Sequence, residues 1–240
     1  ITGTNGKTTT THLVEAMLAA AGRKPGLVGT VYNRWPGHSE EATLTTPGAL
    51  ALQRLLARMH QAGCTDVVLE ATSIALHQGR LSGCEVAVAS LTNLTQDHLD
   101  YHGTMDAYFD AKAILFRELL APGDGIAVLF ADKEDGRRMA AHVRGRLLTL
   151  ATTPGARADV RVETARQGGH GLVAEVATPV GPCELRSALV GDYNLQNVMN
   201  AVGMGLGLGL PLDAIVRGVA DLPGVPGRLE RVDNDADVLA

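Results

Sequence analysis

The chain has 240 residues, 45% of them hydrophobic and 3% aromatic, with a formal net charge of −5. That apolar content suffices for one large folded unit or two small ones, and without a basic run a nucleic-acid-binding surface is not expected. No apolar stretch is long enough to span a bilayer, no secretory leader is visible, and Cys64, Cys84 and Cys183 form no C-x-x-C pair. Reduced thiols, a cytoplasmic location and no membrane insertion are the expectations.

The first feature along the chain is Ile1-Thr2-Gly3-Thr4-Asn5-Gly6-Lys7-Thr8-Thr9. Glycines let a backbone turn so that its N–H groups face an anion, and a following helix adds its unpaired N-terminal donors. Gly3, Thr4, Asn5, Gly6 and Thr9 are therefore candidates for cradling phosphates. Lys7 would reach the β/γ-phosphates of a nucleoside triphosphate, and the Thr8 hydroxyl would hold Mg²⁺. Only the shorter form of the loop is present, because Ile1 stands where the long motif has its first glycine. A buried strand normally leads into such a loop, so the chain is expected to start within that strand.

A helix is predicted over Lys7 to Ala21, stopped by Gly22. A strand follows over Gly26 to Thr30. Thr46-Pro47 reads as an N-cap and first-turn proline opening a helix to Gly63. Asp66 to Glu70 and Glu85 to Ala89 read as buried strands. Thr104 begins a helix that ends before Pro122-Gly123, and Ile126 to Phe130 is a further strand. Continuous apolar strands alternating with helices predict an α/β, P-loop-like, mostly parallel sheet with helices on both faces. Three short strands, Asp159 to Thr164, Gly171 to Thr178 and Cys183 to Leu189, add a small antiparallel subsheet. Helices over Asn194 to Leu208 and Leu212 to Ala220 complete the pattern. The glycines at 203, 205, 207 and 209 follow no strand, so they read as close helix packing and a C-cap, not as a dinucleotide fingerprint.

Glu70 ends a predicted strand, and in open α/β sheets the carboxyl edge carries the ligand site. Asn93 follows the next strand and leads into Asp97-His98-Leu99-Asp100-Tyr101-His102-Gly103. Groups suited to Mg²⁺ or phosphate thus collect near the opening loop. Taken alone, Asp97-His98 reads equally well as a polar loop without a ligand.

The opening loop, Thr45-Thr46-Pro47, Glu70-Ala71-Thr72-Ser73 and the Asp-His-Leu-Asp-Tyr-His-Gly run recur in one family, with Tyr108, Ala111-Lys112, Gly191-Asp192-Tyr193-Asn194-Leu195-Gln196-Asn197 and Pro226-Gly227-Arg228-Leu229-Glu230. Together they resemble the Mur ligases of peptidoglycan synthesis, and within that family the members that add the third residue. The resemblance implies a central ATP-binding domain over 1–230, with 231–240 opening a linker to a C-terminal domain and an N-terminal domain ahead. It implies an ATP-dependent amide-forming ligase whose partners are a UDP-muramoyl-dipeptide and a free amino acid. By the same resemblance Lys7, His98 and Lys112 are catalytic, and Asn194, Asn197 and Arg228 bind the nucleotide. Thr8, Glu70, His98 and a carbamylated Lys112 serve two Mg²⁺ sites, and Thr45, Thr46, Ser73 and Arg80 bind the muramoyl-dipeptide. On composition alone Lys112 is a solvated helix lysine, Arg228 a surface arginine, and Asn194 and Thr46 helix caps.

One position departs from the family pattern. Glu-x-Ser-Ser-His is usual, and here Glu70-Ala71-Thr72-Ser73-Ile74 stands, which implies a retuned site with its Glu70 ligand intact. A folylpolyglutamate-synthetase-type ligase would place Gly-Ser after the loop lysine, where this chain has Thr8-Thr9-Thr10. A non-catalytic nucleotide-binding module is the alternative from another class.

Overall fold

The computed structural model describes residues 1–169 and 171–228. The Leu229-Glu230 end of the last motif and the expected linker at 231–240 lie outside the described residues. In chain order the elements are α1 (Lys7–Ala20), β1 (Pro25–Val28), β2 (Tyr32–Trp35), β3 (His38–Glu41), α2 (Ala49–Gln61), β4 (Asp66–Leu69), α3 (Ser73–His77) and β5 (Val88–Ser90). Then come α4 (Leu99–His102), α5 (Met105–Ile114) with a π-helical turn over Leu115–Leu119, β6 (Ile126–Phe130), α6 (Glu134–Ala140) and β7 (Arg146–Ala151). β8 (Val160–Gly168), β9 (Gly171–Thr178), β10 (Gly181–Ser187), α7 (Tyr193–Gly207) and α8 (Leu212–Asp221) close the described chain.

The strands form two sheets, ordered β3-β2-β1-β4 and β10-β9-β8-β7-β6-β5. Pairing from β5 through β8 is parallel, and β8-β9-β10 continues the same sheet as an antiparallel meander. The opening residues join the two sheets. Ile1 O accepts from Ala71 N just beyond β4, while Thr2 N donates to Ser90 O and Thr92 N donates to Thr2 O beside β5. A cavity of about 340 Å³ continues this seam between β4 and the 85–88 segment, with Ile1 on its wall.

The sheet is apolar on both faces, as strands covered by helices on each side must be. Along β6, Val128 and Phe130 join a core with Leu13, Met17, Val198 and Ile215 of α1, α7 and α8. Ala127 and Leu129 point the other way, into a core with Leu52, Met59, Phe109 and Phe116. The late glycines do pack closely. A Cβ on Gly203 would lie 2.5 Å from Val128 Cγ1, and one on Gly218 would run into the Met17 backbone. Among the described residues no helix is long and apolar enough to cross a membrane.

Several local expectations change. The β2–β3 hairpin, absent from the predicted elements, turns at Pro36-Gly37, and its polar faces hid it from an apolar-run criterion. α6 and β7 also went unpredicted, although Leu147-Leu148 and Leu150 are a strand-like run. Thr46 is not a helix cap. α2 starts at Ala49 behind an extended Gly48, and the buried Thr46 hydroxyl donates to Glu70 O at 2.6 Å. Asn194 is not a cap either, since it sits inside the first turn of α7 and its Nδ2 turns back to Val190 O.

Gly218→Ala tests the helix contact. Alanine gains about 1 kcal/mol of helix propensity, yet overpacking a rigid backbone costs about 1–3 kcal/mol. Net destabilisation in urea unfolding is expected, and a more stable variant would contradict the close α1–α8 approach.

Candidate functional site

The opening loop rises from the seam and is sutured to the segment after β5. Asn5 N donates to Asn93 Oδ1 at 3.0 Å, Thr92 Oγ1 donates to Asn5 O at 2.5 Å, and Thr4 N donates to Asn93 O at 2.9 Å. Thr95 N donates to Thr4 Oγ1 at 3.0 Å, and the same Oγ1 lies 3.1 Å from the Tyr108 hydroxyl. Gly3 (φ +142°) and Gly6 (φ +86°) make the bends, and a Cβ on either would collide with Thr92 or Asn197. Only glycine combines that backbone region with that approach.

Glu70 forms the second corner. Its side chain is fully buried just past β4. Oε1 accepts from Thr30 N at 2.9 Å, and Oε2 accepts from Thr30 Oγ1 at 3.0 Å and Thr8 Oγ1 at 3.1 Å. A Cβ on Gly29 would lie 2.6 Å from Oε1, so that glycine admits the carboxylate. Among the described residues Glu70 makes no salt bridge. A buried carboxylate supported only by hydroxyl and amide donors leaves negative charge facing the cleft. This donor set fits Mg²⁺, which prefers oxygen and keeps several waters while bound by one or two protein groups.

Two lysines share one acceptor. Lys7 Nζ donates to Gly3 O at 3.0 Å and Thr4 O at 2.9 Å, and Lys112 Nζ donates to the same Gly3 O at 3.0 Å. Burial first, and Lys7 second, push the Lys112 ammonium down to about 7. Burial is also the main cause that lowers Lys7, with Arg228 acting in the same direction. Lys112 is 1% exposed, with its ammonium 4.4 Å from the centre of the Tyr108 ring, so it is not the solvated lysine that composition suggests.

Two cavities meet at the loop. One, of about 330 Å³, is lined by Lys7, Thr30, Thr45, Thr46, Glu70 and His98, with Ile74 and Arg80 also on its wall. The other, of about 560 Å³, is lined by Thr9, Asn93, Tyr193, Asn194, Gln196 and Asn197. Asn5, Gly6, Thr8 and Arg228 line both. Asn197 Nδ2 donates to Asn194 Oδ1 at 2.8 Å, which fixes the two amides against one another.

Not every expected residue joins the cluster. Ser73 is buried at the start of α3, where its Oγ lies 3.0 Å from His102 Nε2, and it lines neither cavity. Burial first, then His77 and Lys112, lower the pKa of His102. His98 sits in the left-handed region at φ 51° beside Asp97, while Lys112 points to Gly3 behind Tyr108. Among the described residues no three His, Cys, Asp or Glu side chains converge as a metal cluster. Arg80 Nη1 donates to Thr46 O at 2.9 Å and thereby fixes the 45–47 loop. The residues that sequence reasoning missed are Gly29, Thr30, Tyr193 and Gln196. Tyr193 and Gln196 lay within the Gly191-to-Asn197 motif, but nothing along the chain separates a cleft-lining side chain from any exposed one.

An α/β sheet that carries a glycine loop and a helix N-terminus at its carboxyl edge defines a P-loop-type domain. Residues 1–205 match the family model described as the Mur ligase middle domain, and the chain belongs to the Mur ligase family. It is 49% identical to the UDP-N-acetylmuramoyl-L-alanyl-D-glutamate–2,6-diaminopimelate ligase of Synechococcus elongatus, over 100% of this chain and 48% of the relative. Identity to the ligase of the same name from Gloeobacter violaceus is also 49%, over 100% and 48%. A solved structure bearing that enzyme name superposes with a TM-score of 0.87 at 32% identity, over 98% of this chain and 48% of the other. The UDP-N-acetylmuramoylalanyl-D-glutamyl-2,6-diaminopimelate–D-alanyl-D-alanyl ligase of Acinetobacter baumannii, at 23% identity, shares the fold with a TM-score of 0.75 over 98% and 48%. The chain spans about half the length of the curated relatives it matches.

The Lys112 environment has a measurable consequence. Its ammonium loses its proton near 7 in the folded chain and near the ordinary 10.5 in the unfolded one. Between those values the unfolded state holds more protons, so stability should rise with pH. Lys112→Met should flatten that rise in denaturant titrations run from pH 7 to 10, leaving only the part that the similarly lowered Lys7 contributes, and an unchanged slope would contradict the assignment.

Proposed function

We propose that this chain is the central domain of an ATP-dependent ligase that adds the third amino acid to UDP-N-acetylmuramoyl-L-alanyl-D-glutamate in peptidoglycan synthesis. The observation that carries this reading is the pair of cavities that share one phosphate loop, which suits a reaction joining a nucleotide to a second anionic substrate. The relatives are 2,6-diaminopimelate ligases by name, which favours that compound as the amino acid. The domain would occupy 1–230, with 231–240 leading to a C-terminal domain and a UDP-sugar-binding domain ahead.

In this reading ATP lies along the larger cavity, with its base against Asn194 and Asn197, its phosphates over Gly3 to Thr9, and Arg228 at the ribose or phosphates. The muramoyl-dipeptide lies in the smaller cavity against Thr45, Thr46 and Arg80. Ser73, buried at the first position of α3, would act there only if α3 shifted. Ile74 gives that cavity an apolar wall. A free carboxylate is a poor electrophile, so the D-glutamyl carboxylate attacks the γ-phosphorus and ADP leaves. The amine then attacks the acyl phosphate carbon, loses a proton and expels inorganic phosphate. The chain's own part is to hold two anions in line and to offset their repulsion with Lys7 and the loop amides.

Thr8 and Glu70 would hold one Mg²⁺, with His98 and Lys112 serving a second; the ions supply charge neutralisation at the phosphates. A neutral Lys112 amine captures CO₂, releases a proton and becomes a carbamate, which turns a cation into an oxygen ligand. The depressed Lys112 pKa supports that step.

Hydroxylamine should trap a hydroxamate from the complete protein only when ATP and the UDP-muramoyl-dipeptide are both present. Lys112→Ala should lower turnover by roughly 100-fold or more, and an added short carboxylate should restore part of it. Full activity in that variant would remove the carbamate, and absence of hydroxamate would favour a non-catalytic module.

A further inference from the structure

A polar relay, buried at His12 and Glu15 and half-buried at Tyr32 and Arg34, runs along one face of α1 into the phosphate loop. Glu15, which is 8% exposed, forms a bidentate ion pair with Arg34 of β2. Arg34 Nη1 donates to the Tyr32 hydroxyl at 3.2 Å, and its guanidinium lies over the Tyr32 ring. The Tyr32 hydroxyl lies 3.0 Å from His12 Nε2, and His12 Nδ1 lies 2.8 Å from Thr8 O. His12 is 2% exposed.

Two directions in this chain are determined. A carbonyl only accepts, so His12 Nδ1 carries the proton toward Thr8 O. Arginine only donates, so the Tyr32 oxygen accepts from Arg34. In the neutral Nδ1–H tautomer of His12 the Tyr32 hydroxyl then donates to Nε2. Thr11 Oγ1 also donates to Thr8 O, at 2.8 Å. Thr8 is thus gripped through its carbonyl while its hydroxyl meets Glu70. β2 connects at one end to Thr30, which also meets Glu70, and through β3 to the loop that carries Thr45 and Thr46.

We propose that His12 is a positioning residue that locks the first turn of the phosphate helix to β2, so that the Thr8 hydroxyl and the Thr30–Thr45 side of the cleft keep one fixed geometry. The proposal rests on the reading of Thr8 and Glu70 as a cation corner. Glu15 and Arg34 anchor the relay from outside the site, and neither they, Tyr32 nor His12 lines either cavity.

The test uses the complete protein and its affinity for a non-hydrolysable ATP analogue with Mg²⁺ and with EDTA. Tyr32→Phe keeps the ring and removes the linking hydroxyl. It should weaken binding with Mg²⁺ by about 3- to 10-fold, the scale of one lost buried hydrogen bond, and leave binding in EDTA unchanged. Nitrogen NMR of His12 should show a neutral Nδ1–H ring in the parent and a displaced Nε2 signal in Tyr32→Phe. His12→Gln, which can still donate to Thr8 O, should recover part of the affinity lost in His12→Leu. Glu70→Ala is the control for the cation corner. Parent-like Mg²⁺-linked affinity in Tyr32→Phe, with Glu70→Ala impaired, overturns the relay. Parent-like affinity in Glu70→Ala overturns the cation corner itself, and with it this role for His12. Should His12→Leu fail to fold, Tyr32→Phe and the NMR signature decide the matter alone.

Discussion

The seam at Ile1-Thr2 is the constraint on which the rest of the molecule depends. Two residues of backbone bridge β4 on one side and β5 on the other through hydrogen bonds of 2.8–2.9 Å. Everything with candidate chemistry lies just past that seam, because the carboxyl ends of β4 and β5 and the loop leaving Thr2 emerge together. Glu70 follows β4, Thr92 and Asn93 follow β5, and the glycine loop stands between them. The loop keeps its shape because its carbonyls, the Thr4 side chain and the Thr4 and Asn5 amides are bound to Thr92, Asn93, Thr95 and the two lysines.

The charge arrangement follows from burial. The Glu70 carboxyl is enclosed and among the described residues forms no salt bridge, whereas Lys7 and Lys112 crowd one carbonyl within 3.0 Å. Each is expensive by itself in a low-dielectric interior, and a polyanion with its metal would relieve both. Such arrangements concentrate where charge must be handled, and they raise no stability in the empty chain. The His98 backbone, held at positive φ, adds strain at the same place.

The relay from Glu15 to Thr8 and the hydrogen bond from Thr46 to Glu70 O belong to one design. Each fastens a group of the cleft from behind with a bond that no ligand makes. Thr46 illustrates why chain-local rules misread it. Threonine before proline is a good helix-capping sequence, but its hydroxyl finds a stronger claim in a carbonyl from another strand. Asn194 misleads in the same way, since its amide belongs to the cleft pair with Asn197 and not to the helix end.

The sequence by itself determined the phosphate loop, the parallel α/β core and the helices that flank it, because glycine spacing, apolar strands and periodic helices are local patterns. It also carried Lys7, Thr8, Glu70, His98 and Lys112 as a family pattern. It did not reveal Thr30, Gly29, Tyr193 or the His12 relay, and it set Ser73 beside Arg80 in a cleft that Ser73 does not line. The β2–β3 hairpin and β7 also stayed hidden, since a polar hairpin and a strand behind a short helix give weak periodicity. Tertiary structure alone decided these points, because they depend on which backbone from a distant strand arrives within hydrogen-bond reach. It decided as well that Lys112 is buried against Gly3 and shares its acceptor with Lys7, a juxtaposition across 109 positions that no local pattern encodes.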